Sequence, residues 1–189
     1  MFNHKPGTLI KTTAGTLKII DDGPGFGGEG TGYRAELNGK IVFYKQFHKT
    51  AVPPLTPVET LALRMARTKA LVAMRLSDVD ARFNAPFAWS DEGGYVCKFI
   101  ENLLPMYCDP LDGPSFLTGT TSYAQRVNVA GQLIGLVNAL HARKVAHGDI
   151  NSANVGVVVG TDSSVAVHLI DFGNANWGDA NLEDRKSVV

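Results

Sequence analysis

Residues 147–173, HGDINSANVGVVVGTDSSVAVHLIDFG, constrain this chain more than any other stretch. Two apolar runs rich in β-branched residues, 155–159 and 165–170, flank Gly160, Thr161, Asp162 and Ser163, which supply turn chemistry, so the pattern predicts a β-hairpin. A hairpin brings its outer ends together. His147, Asp149 and Asn154 stand before it and Asp171, Phe172 and Gly173 after it, so Asp149, Asn154 and Asp171 are expected to converge. Two carboxylates and an amide oxygen, without a Cys or His suited to zinc, form a hard-oxygen set that suits Mg²⁺ and its bound phosphates.

The length of 189 residues predicts one domain, and 44% hydrophobic with 19% charged residues is enough apolar material for a core and too little charge for disorder. Lys plus Arg and Asp plus Glu number 18 each, so no net charge points to nucleic acid or to an anionic membrane. No apolar run reaches the length of a membrane span. Cys97 and Cys108 fit no metal spacing, and with no secretory signal the expectation is two reduced thiols in a cytoplasmic protein.

Ahead of the hairpin the chain reads as an antiparallel meander. Strand-like pieces at 8–11 and 16–20 are separated by Ala14-Gly15, and runs at 33–37 and 41–47 are separated by Asn38-Gly39, a strong hairpin signal. Between the second and third pieces lies Gly25-x-Gly27-x-x-Gly30. A dinucleotide-binding fingerprint would have to open a helix, and this one sits between strands, so that function is excluded by context.

Thr56-Pro57-Val58-Glu59 predicts a helix start, with Thr56 as cap, Pro57 at the first position and Glu59 completing a capping box. The helix is expected to reach about Leu76, with Val58, Leu61, Met65, Val72 and Leu76 on one face. Residues 86–90 and 94–100 read as strands about Asp91-Glu92-Gly93, and 103–119 as irregular. Ser122-Tyr123-Ala124-Gln125 is a second capping box, opening a helix to about Arg143. Its apolar face is broad, with Val129, Leu133, Leu136 and Leu140 in one stripe and Ala130, Ile134 and Val137 in another.

His147-x-Asp149-x-x-x-x-Asn154 followed by Asp171-Phe172-Gly173 resembles the catalytic loop and metal-binding triplet of the protein-kinase superfamily. The resemblance implies an α+β fold, with an N-terminal antiparallel sheet lobe carrying one helix (1–101) and the beginning of a helical lobe (102–183). It implies ATP and Mg²⁺ as cofactors. Gly25, Gly27 and Gly30 then resemble the lid whose backbone N–H groups cover the phosphates, and Val42-Phe43-Tyr44-Lys45 resembles the strand whose lysine holds the α and β phosphates. Glu59 is either that lysine's partner or only a helix cap. Lys98, Phe99 and Ile100 correspond to the hinge that binds adenine, with Cys97 guarding the back pocket. Asp149 corresponds to the group that orients the acceptor hydroxyl and takes its proton, Asn154 and Asp171 to the metal ligands, and His147 to a loop residue packed on Phe172.

Three departures qualify the likeness. Gly32 stands where the family has a valine against the adenine, Gly148 replaces an arginine, and Asn151 replaces a lysine that contacts the γ-phosphate. His-Gly-Asp is also frequent in aminoglycoside and choline kinases. The glycine-rich loop ranks a Ser/Thr protein kinase of bacterial type, acting on a protein hydroxyl, ahead of a small-molecule kinase, and both ahead of a nucleotide-binding pseudokinase or scaffold. The family's activation segment would follow Gly173, where only residues 174–189 remain, and residues 184–189 match a translated sequencing adapter. A gene fragment with a non-native tail is therefore expected.

Overall fold

The alternating pattern of the first hundred residues forms an antiparallel sheet in a computed structural model that describes residues 4–21, 25–26, 30–48, 61–109, 111 and 113–178. The chain divides into two compact units, Met1–Asn102 and Leu103–Val189, and the architecture is α+β.

The first unit contains β1 (Leu9–Thr12), β2 (Gly15–Ile19), β3 (Gly25–Phe26), β4 (Gly30–Leu37), β5 (Lys40–Phe47), α1 (Leu61–Met74), α2 (Leu76–Val79), β6 (Ala88–Ser90) and β7 (Gly94–Lys98). The sheet runs β1-β2-β4-β5-β7-β6, with β3 paired to β4. Its ends nearly meet: the Thr13 N–H donates to the Trp89 carbonyl at 2.9 Å and the Trp89 N–H to Thr13 Oγ1 at 3.2 Å. Near-closure buries one face. Ile10, Leu17, Ile19, Tyr33, Ala35, Leu37, Val42, Tyr44, Ala88 and Val96 fill it, at alternate positions along each strand as the pleat dictates. Asn38 and Gly39 both take positive φ, 51° and 74°, which a two-residue hairpin of this handedness demands, and they set Leu37 opposite Lys40.

The opposite face carries α1. Leu61 and Met65 pack on Phe47, Tyr95 and Cys97, as the helical spacing predicts, while Leu71, outside the expected stripe, is buried to 1% exposure. The expected continuous helix to Leu76 is interrupted: Arg75 adopts a left-handed φ of 50°, and a short α2 follows. Thr56, Pro57, Val58 and Glu59, the expected capping box, lie outside the described residues. The strands expected at 86–90 and 94–100 are shorter, ending as β6 and β7.

The second unit contains β8 (Leu104–Pro105), α3 (Tyr123–His141), β9 (Val145–Ala146), β10 (Val155–Val159), β11 (Val165–Leu169), a 3₁₀ turn (Phe172–Asn174) and β12 (Asn176–Trp177). The predicted hairpin is present as β10 and β11, in register from Val155 opposite Leu169 to Val159 opposite Val165. β8 pairs with β10 on its other side. Gly156 permits this approach, because a Cβ there would stand 2.8 Å from Leu103 Cγ.

The Ser122 capping box on α3 is complete: the Gln125 N–H donates to Ser122 Oγ at 3.2 Å and the Ser122 N–H to Gln125 Oε1 at 2.8 Å. Val129, Leu136 and Leu140 are buried, but the expected second stripe is not covered among the described residues, and Ile134 is 62% exposed. Gln132 ties α3 to β11, donating Nε2–H to the Val165 carbonyl at 2.8 Å and accepting from the Val167 N–H at 3.1 Å. Among the described residues no helix is long and apolar enough to cross a membrane. Cys97 is buried, and Cys108 is a half-buried thiol that donates to the Gly113 carbonyl.

Candidate functional site

In the second unit, the polar loop 147–154 is held at both ends by strands. β9 precedes it and pairs with β12, which follows the Asp171-Phe172-Gly173 triplet, so Ala146 lies opposite Asn176 and Val145 opposite Trp177. At the loop's exit the Ile170 N–H donates to the Asn154 carbonyl at 3.0 Å, extending the hairpin ladder by one rung. The chain therefore places Asp171 one residue from the partner of Asn154.

His147 is the buried post of the loop, 2% exposed. Its ring lies 4.7 Å from that of Phe172, which is fully buried, and its Nε2–H donates to the Ile170 carbonyl at 2.9 Å. That bond fixes the proton on Nε2. Nδ1 is buried with no hydrogen-bond partner among the described residues. Burial lowers the pKa below its ordinary value, against the opposing pull of the Ile170 carbonyl and of the charges on Asp171 and Asp149. A neutral ring of this kind supports the loop.

Gly148 has φ +80°, and a Cβ there would collide with the Asn174 carbonyl. The glycine is thus required by close approach of the backbone as well as by conformation. Asp149 is gripped by side-chain amides: Asn151 Nδ2 donates to Oδ1 at 3.0 Å, Asn154 Nδ2 to Oδ2 at 3.0 Å, and Asn174 Nδ2 reaches Oδ2 at 3.5 Å. Asn151 also organises the loop, its Oδ1 accepting from the N–H groups of Ala153 (2.9 Å) and Asn154 (3.1 Å). Asp171 holds a left-handed conformation, φ 55° and ψ 67°, at the start of the 3₁₀ turn.

Asp149 and Asn154 are therefore in direct contact, Asp171 follows the residue that pairs with Asn154, and the Asp171 charge is felt at His147. Among the described residues no three His, Cys, Asp or Glu side chains gather as metal ligands. The donor set suits Mg²⁺, which keeps several waters and takes one or two carboxylates plus phosphate oxygens. The Asn154 amide nitrogen is committed to Asp149, its Nδ2 donating to both the carboxylate and the backbone carbonyl at 3.0 Å.

In the first unit, β3 pairs with β4 so that Gly25 faces Gly32 and Phe26 faces Thr31. Gly32 in turn faces Lys45, and Lys45 faces Tyr95, so one rung across four strands carries Gly25, Gly32, Lys45 and Tyr95. Lys45 is half-buried. Gly30 is needed where β5 passes, since a Cβ would meet the Gln46 carbonyl. Gly27 and Glu59 lie outside the described residues. Lys98 ends β7 with an exposed side chain, and its carbonyl accepts from Asn84 Nδ2 at 3.1 Å; Ile100 is half-buried just beyond the strand.

Two residues beside the expected site residues receive no role from the sequence. Asn174 acts partly through its backbone carbonyl, which no residue type reveals. Phe43 covers Gly32, and the signal for it was the pair itself, a missing side chain on one strand and a large ring on the next. No protein-family model matches the chain, and no curated protein matches it.

Proposed function

We propose that the chain is an ATP- and Mg²⁺-dependent phosphotransferase of the protein-kinase type, moving the γ-phosphoryl group of ATP to an alcohol. The observation that supports this reading is the contact of Asp149 with Asn154 at the base of the hairpin whose other strand leads into Asp171. Asp149 orients the acceptor hydroxyl and takes its proton as the bond from γ-phosphorus to the β–γ bridging oxygen breaks and the bond to the acceptor oxygen forms. Asn154 and Asp171 would hold Mg²⁺, which would offset charge on the phosphate oxygens. Lys45 holds the α and β phosphates, with Glu59 as its partner or only a helix cap, Gly25, Gly27 and Gly30 supply the lid over the phosphates, and Lys98 to Ile100 border the base. Most of the catalysis is positioning and charge neutralisation in place before reaction.

The glycine hairpin favours a Ser/Thr hydroxyl on a protein as acceptor. A second reading, a small-molecule kinase, is favoured by Gly148 and Asn151. Gly148 leaves no room for an arginine, and Asn151 is committed to holding the loop, where it offers no cation to the γ-phosphate.

The test incubates the purified protein with γ-labelled Mg-ATP and, in separate arms, casein, kanamycin and choline. Transfer to casein supports the first acceptor and transfer to kanamycin or choline the second. Binding of Mg-ATP with no transfer supports a scaffold. Failure to bind Mg-ATP, or binding and transfer untouched by Asp171→Ala and Lys45→Met, rejects the phosphotransferase assignment.

A further inference from the structure

The N-terminal segment turns back onto the first sheet. Thr8 is tied to β2, its carbonyl accepting from the Ile19 N–H at 2.9 Å, and the Gly7 N–H donates to the Ile19 carbonyl at 2.8 Å. Lys5, Pro6 and Gly7 loop outward and are exposed, with Gly7 at φ +88° and the Thr8 N–H closing the turn on the Lys5 carbonyl at 3.0 Å. His4 comes back in, and of residues 4–7 it is the one that is half-buried. Its N–H donates to the Tyr33 hydroxyl at 3.2 Å. Its ring meets the Tyr33 ring edge-on at a centroid distance of 5.3 Å and lies 6.2 Å from the Tyr44 ring.

The groups that receive this ring are buried and fixed. Tyr33 and Tyr44 are fully buried and Gln46 is 2% exposed. Gln46 Nε2 donates to the Glu92 carbonyl at 2.8 Å and to the Gly93 carbonyl at 3.1 Å, which turns Oε1 the other way. There Oε1 accepts from the Tyr44 hydroxyl and lies 3.3 Å from His4 Nε2, so Nε2 carries the proton and donates. Burial raises the Tyr44 pKa and keeps that hydroxyl protonated. Gly94 serves the same arrangement, because a Cβ on it would collide with the Tyr44 hydroxyl.

Two aromatic rings and one aimed acceptor recognise a planar ring that carries an N–H donor. We propose that Tyr33, Tyr44 and Gln46 form a binding site for an imidazole-type heteroaromatic ring, and that His4 fills it in cis as a removable plug on the 5–7 loop. The site lies wholly in the first unit and stands apart from the phosphotransferase reading. A tethered ring outcompetes a free one through its high effective concentration, so the site takes a ring from solution only when the plug is withdrawn.

The experiment follows urea denaturation of the full chain at about pH 8, where imidazole is neutral, with imidazole or 1-methylimidazole added. The proteins are wild type, His4→Ala, which empties the site but keeps its backbone N–H, and His4→Phe, which keeps a ring there without the donor. In His4→Ala imidazole should raise the midpoint, the folding constant growing as one plus the ratio of imidazole concentration to its dissociation constant. 1-Methylimidazole has no N–H and should bind at least about tenfold more weakly. Wild type and His4→Phe should respond to neither compound. Should His4→Ala fail to fold, imidazole is expected to restore the fold. A His4→Ala chain indifferent to imidazole, folded or not, overturns the site, as does an equal response in wild type or an equal response to 1-methylimidazole.

Discussion

The backbone carbonyl of Asn174 occupies the space that a side chain on Gly148 would require, so the residue before Asp149 is fixed by the residue after the Asp171-Phe172-Gly173 triplet. Gly148→Ala must accept a left-handed conformation and displace a backbone segment. Gly178, with φ +91° and nothing within 4 Å of its Cβ position, provides a control that carries the conformational cost alone. Gly178→Ala should cost about 1–2 kcal/mol and Gly148→Ala at least about 1 kcal/mol more, read from urea denaturation midpoints.

His147 gives the protein an acid-side weakness. Burial lowers its folded pKa below the ordinary 6.5, so the unfolded chain binds a proton that the folded chain refuses. The stability it contributes is complete above pH 6.5 and is lost as pH falls toward the folded value. Urea midpoints should therefore drop between pH 7 and pH 5, with a slope of up to about 1.4 kcal/mol per pH unit from this one group. His147→Phe keeps the stacking on Phe172 and removes the proton, and should flatten that slope even if its stability at pH 7 is lower. An unchanged slope in His147→Phe would assign the acid sensitivity to other groups.

Gln132 completes the otherwise open edge of β11 with both ends of its amide, a donor to Val165 and an acceptor from Val167. Gln132→Ala removes both, and the expected loss is about 2 kcal/mol. Hydrogen exchange should show the Val167 amide losing protection while the amides that β10 and β11 share change far less.

Asn151 should matter to turnover through Asp149. Asn151→Ala removes one donor to the carboxylate and two acceptor bonds that shape the loop, and misplacement of a base by a fraction of an ångström is costly. On the phosphotransferase reading, phosphoryl transfer should fall about tenfold in kcat with KM for ATP little changed, because that reading assigns the nucleotide to other residues. A rise in KM with constant kcat would place Asn151 against the nucleotide.

The elements that were legible in the sequence are those whose signal is local. The β10–β11 hairpin, the Asn38-Gly39 turn and the Ser122 capping box each depend on periodicity or turn chemistry within a few residues, and each is present. Pairings between distant short segments were not legible. β8 with β10 and β9 with β12 involve two residues a side, and nothing in Leu104–Pro105 or Asn176–Trp177 names its partner. The stop in α1 at Arg75 carries neither glycine nor proline to announce it. In the site, the rung that carries Ile170 opposite Asn154 followed from the hairpin alone. The part played by Asn174 did not, because it is exerted through a carbonyl that every residue possesses.

The short ladder of β9 and β12 cinches the whole segment between them into a noose. The hairpin within that segment is anchored separately, by Gln132 to α3 and by β10 to β8, so the polar loop beside the two rungs can loosen while the hairpin stays held. Amides on both sides of the noose should then share one opening rate, and a peptide bound across Asn176–Trp177 would slacken Asp149 and Asp171 in a single event.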